Sequence, residues 1–250
     1  EGILPPAAPG PAFALRKRAV NIIGLDRYVT DGILSAPQAE FLRRAVRERQ
    51  NILIAGGTST GKTTLANALL AEIAVTGDRV LVLEDTIDLQ CAARDHVPLR
   101  TRAGVVSMTE LVRATMRLRP DRVVVGEVRG GEALDLIKVW GTGHPGGIAT
   151  IHAGSALGAL LRLEQLVLEV AVNPPRALIA EAVNVVVFII GRGRKRRIET
   201  IARVAGFDGT GYQLIDGLAD VLETPFPELL PLSSIVPSPS LNPPGELPCR

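Results

Sequence analysis

A glycine-rich loop set between a strand and a helix constrains this chain more than any other feature. Gly56-Gly57-Thr58-Ser59-Thr60-Gly61-Lys62-Thr63 satisfies G-x-x-x-x-G-K-[ST], and Thr64 follows. Asn51-Ile52-Leu53-Ile54-Ala55, just before it, reads as a short buried strand, and Thr63 to Val75 reads as a helix. Glycines let the backbone wrap a phosphate so that several N–H groups point inward, and the helix adds the positive end of its dipole. The pattern predicts a nucleotide site in which Gly57, Thr58, Ser59, Thr60, Gly61, Lys62, Thr63 and Thr64 hold a triphosphate. Lys62 then reaches the β- and γ-phosphates, and the Thr63 hydroxyl completes a Mg²⁺ shell. ATP and Mg²⁺ are the expected ligands.

The rest of the chain repeats the alternation. Asp31 to Arg49 has helical spacing, with Ser35 ahead of Pro37 as its cap. Strands are expected at 79–83, 122–125 and 147–151, and helices at 109–118, 131–140, 155–170 and 176–182. Val183 to Ile190 and Ile198 to Ala205 read as two further strands, a hairpin closed by the basic turn between them. Aromatics make up only 3% of the residues, so Val, Leu, Ile and Ala carry the 46% apolar content. Strands apolar on both faces, alternating with helices, predict an α/β fold: a mostly parallel sheet with helices on both sides.

Charge and cysteine usage exclude several function classes. Lys and Arg total 28 against 26 Asp and Glu, a balance that argues against a protein coating nucleic acid, so no stable sequence-specific nucleic-acid binding is expected. Cys91 and Cys249 cannot make a disulfide scaffold or a four-cysteine zinc site and fit a reducing compartment. No apolar run approaches a membrane span. The start, Glu1-Gly2-Ile3-Leu4-Pro5-Pro6, lacks an initiator Met and any signal peptide, and reads like the middle of a longer chain. Twelve of 18 prolines lie within residues 1–11 and 225–250, where they cannot build helices or inner strands. The expected division is 1–30 as a domain end (Phe13 to Val20 being its last strand) and linker, 31–224 as the α/β unit, and 225–250 as an extended or disordered tail, with a docking segment as the lesser reading.

A phosphate loop needs carboxylates at neighbouring strand ends to orient metal and water. Glu84-Asp85 follows one predicted strand, and Glu127 follows Val123-Val124-Val125-Gly126. Glu84 and Glu127 are candidate catalytic groups with Lys62, and Thr63, Glu84 and Asp85 are the candidate metal ligands. Glu127 can alternatively pair with Arg129, and Asp85 can be a turn cap; Gly126 is read as leaving room for water or nucleotide. His144 and His152 stand at opposite ends of a turn and strand, which disfavours a shared metal. His152 either senses the γ-phosphate or is a satisfied hydrogen-bonding residue. Arg113, Arg117, Arg119, Arg122 and Arg129 form a solvated or subunit-contact face, or supply one group that reaches a neighbour's phosphate. Arg16, Lys17 and Arg18 can approach nucleotide from the preceding domain. The cluster Arg192 to Arg197 reads most simply as a solvated turn, with acidic lipid head groups as the alternative partner.

Two signatures resemble the secretion ATPase superfamily, the motors of type IV secretion, type II secretion and type IV pili. One is Leu118-Arg119-Pro120-Asp121-Arg122-Val123-Val124-Val125-Gly126-Glu127-Val128-Arg129-Gly130, and the other runs from Thr142-Gly143-His144-Pro145-Gly146-Gly147 to His152-Ala153. Leu161 to Leu166 and Arg197 to Val204, with Gly206 to Gly209, are most similar to conjugal-transfer ATPases of the TrbB type. The resemblance covers about residues 1–215 and implies a RecA-like domain with a remnant of an N-terminal domain. It makes Glu84-Asp85 part of the "Asp box", Glu127 the Walker B glutamate, and His144 to His152 the "His box". Ser59 departs from the glycine many members carry there.

The resemblance further implies a homohexamer hydrolysing ATP between subunits, peripheral to the cytoplasmic face of the bacterial inner membrane beside other secretion components. DNA or protein transfer, or pilus assembly, is the implied work. A pilus-retraction or type II motor, a nucleotide-gated scaffold and a DNA translocase are the alternatives; the two distant cysteines disfavour the type II motor, whose members commonly carry a four-cysteine zinc insertion.

Overall fold

A computed structural model describes residues 2–14 and 22–219. Strands β1 (Gly2–Ile3) and β2 (Ala12–Phe13) pair antiparallel at the start. The strand expected over 13–20 is thus seen only at its first residue; residue 14 is outside the strand, and residues 15–20, with Arg16, Lys17 and Arg18, lie outside the described residues, as does the proline-rich tail.

The expected helix over 31–49 is present over Ala36–Arg47, shortened at its start, and a separate helix that the sequence reading did not include precedes it. Helix α1 (Leu25–Thr30) ends in a turn at Gly32, and α2 (Ala36–Arg47) starts behind Ser35. The Ser35 hydroxyl accepts from the Gln38 amide, while the Gln38 side chain accepts from the Ser35 amide, a reciprocal capping box. Leu25 and Tyr28 are buried with Phe41 and Leu42, so α1 packs into the α/β unit and is no free linker.

The chain continues through β3 (Ile52–Gly56), α3 (Lys62–Ala74), β4 (Val80–Glu84), β5 (His96–Arg100), α4 (Met108–Thr115) and β6 (Arg122–Val125). After α5 (Glu132–Gly141) come β7 (Ile148–Ile151), α6 (Ala156–Val167), α7 (Arg176–Ala182), β8 (Val185–Ile190), β9 (Arg197–Phe207) and β10 (Tyr212–Asp216). Eight strands form one sheet in the order β10-β9-β8-β3-β7-β6-β4-β5. The six from β8 to β5 are parallel, and β9 and β10 add antiparallel at one edge.

Side-chain alternation divides the core as a two-sided sheet requires. Leu53, Ala55, Leu81, Leu83, Val123 and Val125 face the layer of α4 to α7. Ile52, Ile54, Val80, Val82 and Val124 face α1 to α3. Among the described residues no helix is long and apolar enough to cross a membrane.

Both edge strands escaped the sequence reading. In β5, Pro98 falls within the strand, which an edge tolerates because one side of the backbone needs no ladder bond. β10 is closed onto β9 by Asp208-Gly209, whose Asp208 Oδ1 accepts from the Thr210 and Gly211 amides.

Candidate active site

Parallel strands bring their carboxyl ends to one edge, and the polar residues gather there. The phosphate loop leaves β3, the central strand, with β7 on one side and β8 on the other. Gly61 caps α3 at φ 101°, a conformation that favours glycine. Ser59 takes φ 62°, so the departure from glycine falls on a left-handed position, where a side chain costs about 1–3 kcal/mol of strain. Thr60 Oγ1 donates to the Gly57 carbonyl at 3.0 Å and ties the loop across its base. Lys62 is buried, and its ammonium donates to the Gly56 and Gly57 carbonyls at 3.0 Å each. Thr63 and Thr64 lie in the first turn of α3.

Lys62 begins a chain of contacts across the sheet edge. Its Nζ stands 3.4 Å from His152 Nδ1, just beyond the end of β7. A lysine ammonium can only donate, which leaves Nδ1 as the acceptor and places the ring proton on Nε2. Nε2 lies 2.7 Å from Glu127 Oε1, just beyond β6. The ring N–H is not aligned on that oxygen, and Oε1 is a buried acceptor without a hydrogen bond. Arg129 grips the other oxygen: its Nε donates to Oε2 at 2.8 Å, and a second, shorter bond comes from Nη2. Arg129 Nη1 is 3.8 Å from Asp85, which also accepts from Thr101 Oγ1 at 2.7 Å. The order Asp85, Arg129, Glu127, His152, Lys62 therefore crosses the ends of β4, β6, β7 and β3. Glu127 is fixed from below because Thr150 Oγ1 donates to the Gly126 carbonyl at 2.6 Å and the Val128 amide donates to the Thr150 carbonyl. The pairing of Glu127 with Arg129 and its position beside Lys62 and His152 hold together.

Glu84 stands apart. Two strands, β6 and β7, separate β4 from β3. Glu84 is buried, and its Oε1 accepts from the Asp88 and Leu89 amides at 2.9 and 2.6 Å, bracing the loop after β4. Burial pushes its carboxyl above the usual range, against those two bonds. At Gly126, read from the sequence as leaving room for water or nucleotide, a Cβ would meet Glu84 Cγ at 3.3 Å, so the glycine gives room to the Glu84 side chain.

Other sequence candidates are placed elsewhere. His144 lies at the amino end of β7, with Nδ1 3.0 Å from the Pro120 carbonyl. Arg122 is fully buried on Asp78 (Nε to Oδ2, 2.6 Å) and reaches no phosphate. Arg113 pairs with Asp135 at 3.1 Å.

The basic turn is not simply solvated. Arg192 Nε donates to the Thr58 carbonyl at 3.1 Å, and the Arg196 guanidinium packs over Gly61. Sequence reasoning missed this because the turn reaches the phosphate loop only through β8 lying next to β3, a pairing between segments far apart in the chain.

Burial lowers the Lys62 pKa, and the Arg129 charge adds to this, while Glu127 opposes them. His152 is also held below the ordinary imidazole value, by burial first, then by the Lys62 charge, with Glu127 opposing. His152 is therefore neutral at pH 7. Because the unfolded chain takes up the proton first, the neutral ring contributes stability fully above the ordinary value and loses it as pH falls toward the folded one. NMR titration of the imidazole is expected to give an apparent pKa below ordinary, moved further down in Glu127→Gln and up in Lys62→Ala. Shifts of the opposite sign in the two variants would remove the assigned contacts.

The donor set fits a metal-bound triphosphate. Among the described residues the buried Lys62 ammonium bonds only carbonyls and the His152 ring, and Glu127 Oε1 has no aligned donor. Among the described residues no group of three or more His, Cys, Asp or Glu side chains could hold a metal alone. The phosphates would have to complete the shell.

Residues 3–192 match the family described as "Type II/IV secretion system protein". Over 215 residues the chain is 50% identical to "Conjugal transfer protein TrbB" of Rhizobium radiobacter, covering 85% of this chain and 66% of that one. It is 36% identical to "Type IV secretion system protein PtlH" of Bordetella pertussis, covering 80% and 70%. In fold it is similar to the crystal structure of the VirB11 ATPase from the Brucella suis type IV secretion system in complex with sulphate (TM-score 0.59, 30% identity, 75% and 67% covered). The chain thus spans about two thirds of the length of these relatives.

Proposed function

From the premise that this chain belongs to the type II/IV secretion system protein family, with a RecA-like P-loop domain, we propose that it is the ATP-hydrolysing part of a type IV secretion or conjugal-transfer motor. One observation carries the chemistry: Lys62, His152 and Glu127 converge beside the phosphate loop, with one Glu127 oxygen clamped by Arg129 and the other buried without a hydrogen bond. Gly57 to Thr64 hold the triphosphate, and Lys62 turns from the Gly56 and Gly57 carbonyls to its β- and γ-oxygens. Glu127 Oε1 accepts a proton from water as that water attacks the γ-phosphorus. The bond to the bridging β–γ oxygen breaks, and ADP and phosphate leave. His152 sits between Lys62 and Glu127 and reports whether the γ-phosphate is present. Mg²⁺, when bound with ATP, neutralises charge on the phosphate oxygens. Thr63 would hold it, with Asp85 and Glu84 on the acidic side; Glu84, with Oε1 already engaged, acts mainly by positioning the loop that carries Asp85.

Division of labour along the chain follows the packing. The ATPase unit begins at α1, ahead of the boundary at residue 30/31, because Leu25 and Tyr28 are in its core. A homohexameric ring, contact with other secretion components and a peripheral position at the inner membrane belong to the same proposal, as does work on DNA or protein transfer or pilus assembly. The family and the relatives named for conjugal transfer and type IV secretion support the transfer work.

Calorimetry of the chain with ATP, with and without Mg²⁺, tests the site; magnesium-dependent uptake is expected. Turnover measured against protein concentration, alongside mass by light scattering, tests the ring. A steep rise of specific activity with assembly is expected. A folded sample that takes up no ATP would end the reading at its first step.

A further inference from the structure

Glu127 and His152 flank the phosphate loop on the β6–β7 side; the hairpin of β8 and β9 flanks it on the other. That hairpin turn is tightly built. Gly191 has φ 76°, and a Cβ there would fall 2.0 Å from the Lys195 carbonyl oxygen, so the turn closes on itself without room for a side chain. Its two inward arginines meet the loop. Arg192 Nε bonds the Thr58 carbonyl. A Cβ on Gly61 would lie 2.7 Å from Arg196 Nε and 2.8 Å from its Cζ, so the guanidinium packs directly against the residue that caps α3. Arg196 Nε is buried and has no hydrogen-bond partner among the described residues. A buried donor left unmatched is costly, and a guanidinium matches phosphate oxygens in a two-pronged geometry.

We propose that Arg196 is a nucleotide-binding residue of its own subunit, holding the nucleoside-proximal phosphates of ATP and ADP, with Arg192 as the positioning residue that ties its hairpin to the loop. The inference rests on the proposed ATP site and deepens it. Direction along the triphosphate follows from the two flanks. Hydrolysis is assigned to the Glu127 side, so the γ-phosphate lies there and the nucleoside end emerges toward β8 and β9. Arg196 then touches phosphates that ATP and ADP share.

Calorimetric affinities of Arg196→Gln for ATP and for ADP test this. Both are expected to fall together, by about tenfold to a hundredfold, the loss of one charge-assisted contact. Arg196→Lys should recover part of the loss while the melting temperature without nucleotide stays at the wild-type value. Unchanged affinities in Arg196→Gln would overturn the proposal, as would a loss confined to ATP, which would make Arg196 a γ-phosphate sensor. Tyr28, whose buried hydroxyl also has no hydrogen-bond partner among the described residues and whose ionisation Arg196 influences, supplies the packing control. Tyr28→Phe should leave both affinities alone; if it reproduces the Arg196→Gln loss, Arg196 is a structural brace. Wild-type chain that binds neither nucleotide would overturn the ATP site itself and this inference with it, whereas wild-type binding with an indifferent Arg196→Gln overturns Arg196 alone.

Discussion

Glu127→Gln is expected to bind Mg²⁺ and ATP within a few-fold of the wild-type affinity and to hydrolyse it about 10²–10⁴ times more slowly, the usual contribution of a positioned general base. Such a drop corresponds to about 3–5 kcal/mol of lost transition-state stabilisation. Glutamine keeps the shape of the side chain and an oxygen for Arg129, but its amide cannot take a proton from water. Binding survives because the phosphates are held by the loop and Lys62, which the substitution leaves in place. Lys62→Ala should instead lose affinity and turnover together, so the pair of variants separates holding from cleaving. Glu84→Gln provides the contrast. Its Oε1 can still accept from the Asp88 and Leu89 amides, and turnover should fall less than in Glu127→Gln. If Glu84→Gln proves the more damaging, the proton acceptor is Glu84 and the chain of contacts through Arg129 is structural. Single-turnover hydrolysis together with nucleotide titration decides between them.

Much of this site was legible because its parts are local. A strand, eight loop residues and a helix are contiguous in sequence, and Glu127 announces itself by ending an apolar run. Distance across the sheet was not legible. Glu84 and Glu127 both end strands, yet only the strand order reveals that β6 and β7 stand between β4 and β3, and strand order depends on packing between elements far apart in the chain. The same holds for the basic turn, whose meaning depends on β8 pairing with β3. Two glycines make a third case. Gly146 and Gly147 sit in a segment that reads as a functional box. A Cβ on Gly146 would lie 2.6 Å from Arg122 Nη1, and one on Gly147 would lie 2.1 Å from Trp140 Nε1. These glycines make room for a buried guanidinium and an indole at the end of β7 away from the phosphate loop. One motif thus spans two places, packing at its start and, at its end, the His152 proposed to work beside the phosphate loop.

That buried guanidinium carries the largest stability effect expected from a single side chain here. Arg122 is 1% exposed, donating from Nε to Asp78 Oδ2 at 2.6 Å and from Nη1 to the Gly146 carbonyl at 3.3 Å. Asp78 also accepts from Thr76 Oγ1 at 2.8 Å and from Arg49. Removing Arg122 leaves the buried Asp78 carboxylate only Thr76 and the part-exposed Arg49, a charge largely stranded, so Arg122→Met should destabilise the fold by up to about 3–5 kcal/mol. The double variant Asp78→Asn with Arg122→Met should recover a substantial part, because the stranded charge is gone. The pH dependence identifies the cause. Burial pushes the Asp78 carboxyl up, but the bonds from Arg122 and Thr76 and the Arg122 and Arg49 charges outweigh it, holding it below the usual carboxylate value. In wild type this contributes stability that is present above the ordinary carboxylate value and lost as pH falls through the lowered one. With Arg122 gone, burial has less to oppose it and the Asp78 value rises, so the folded variant accepts a proton more readily than wild type does. Urea unfolding at neutral and mildly acidic pH should therefore show the gap between wild type and Arg122→Met narrowing as pH falls. A gap that is constant with pH would mean that the loss is one of packing volume around Gly146, and that the ion pair contributes little.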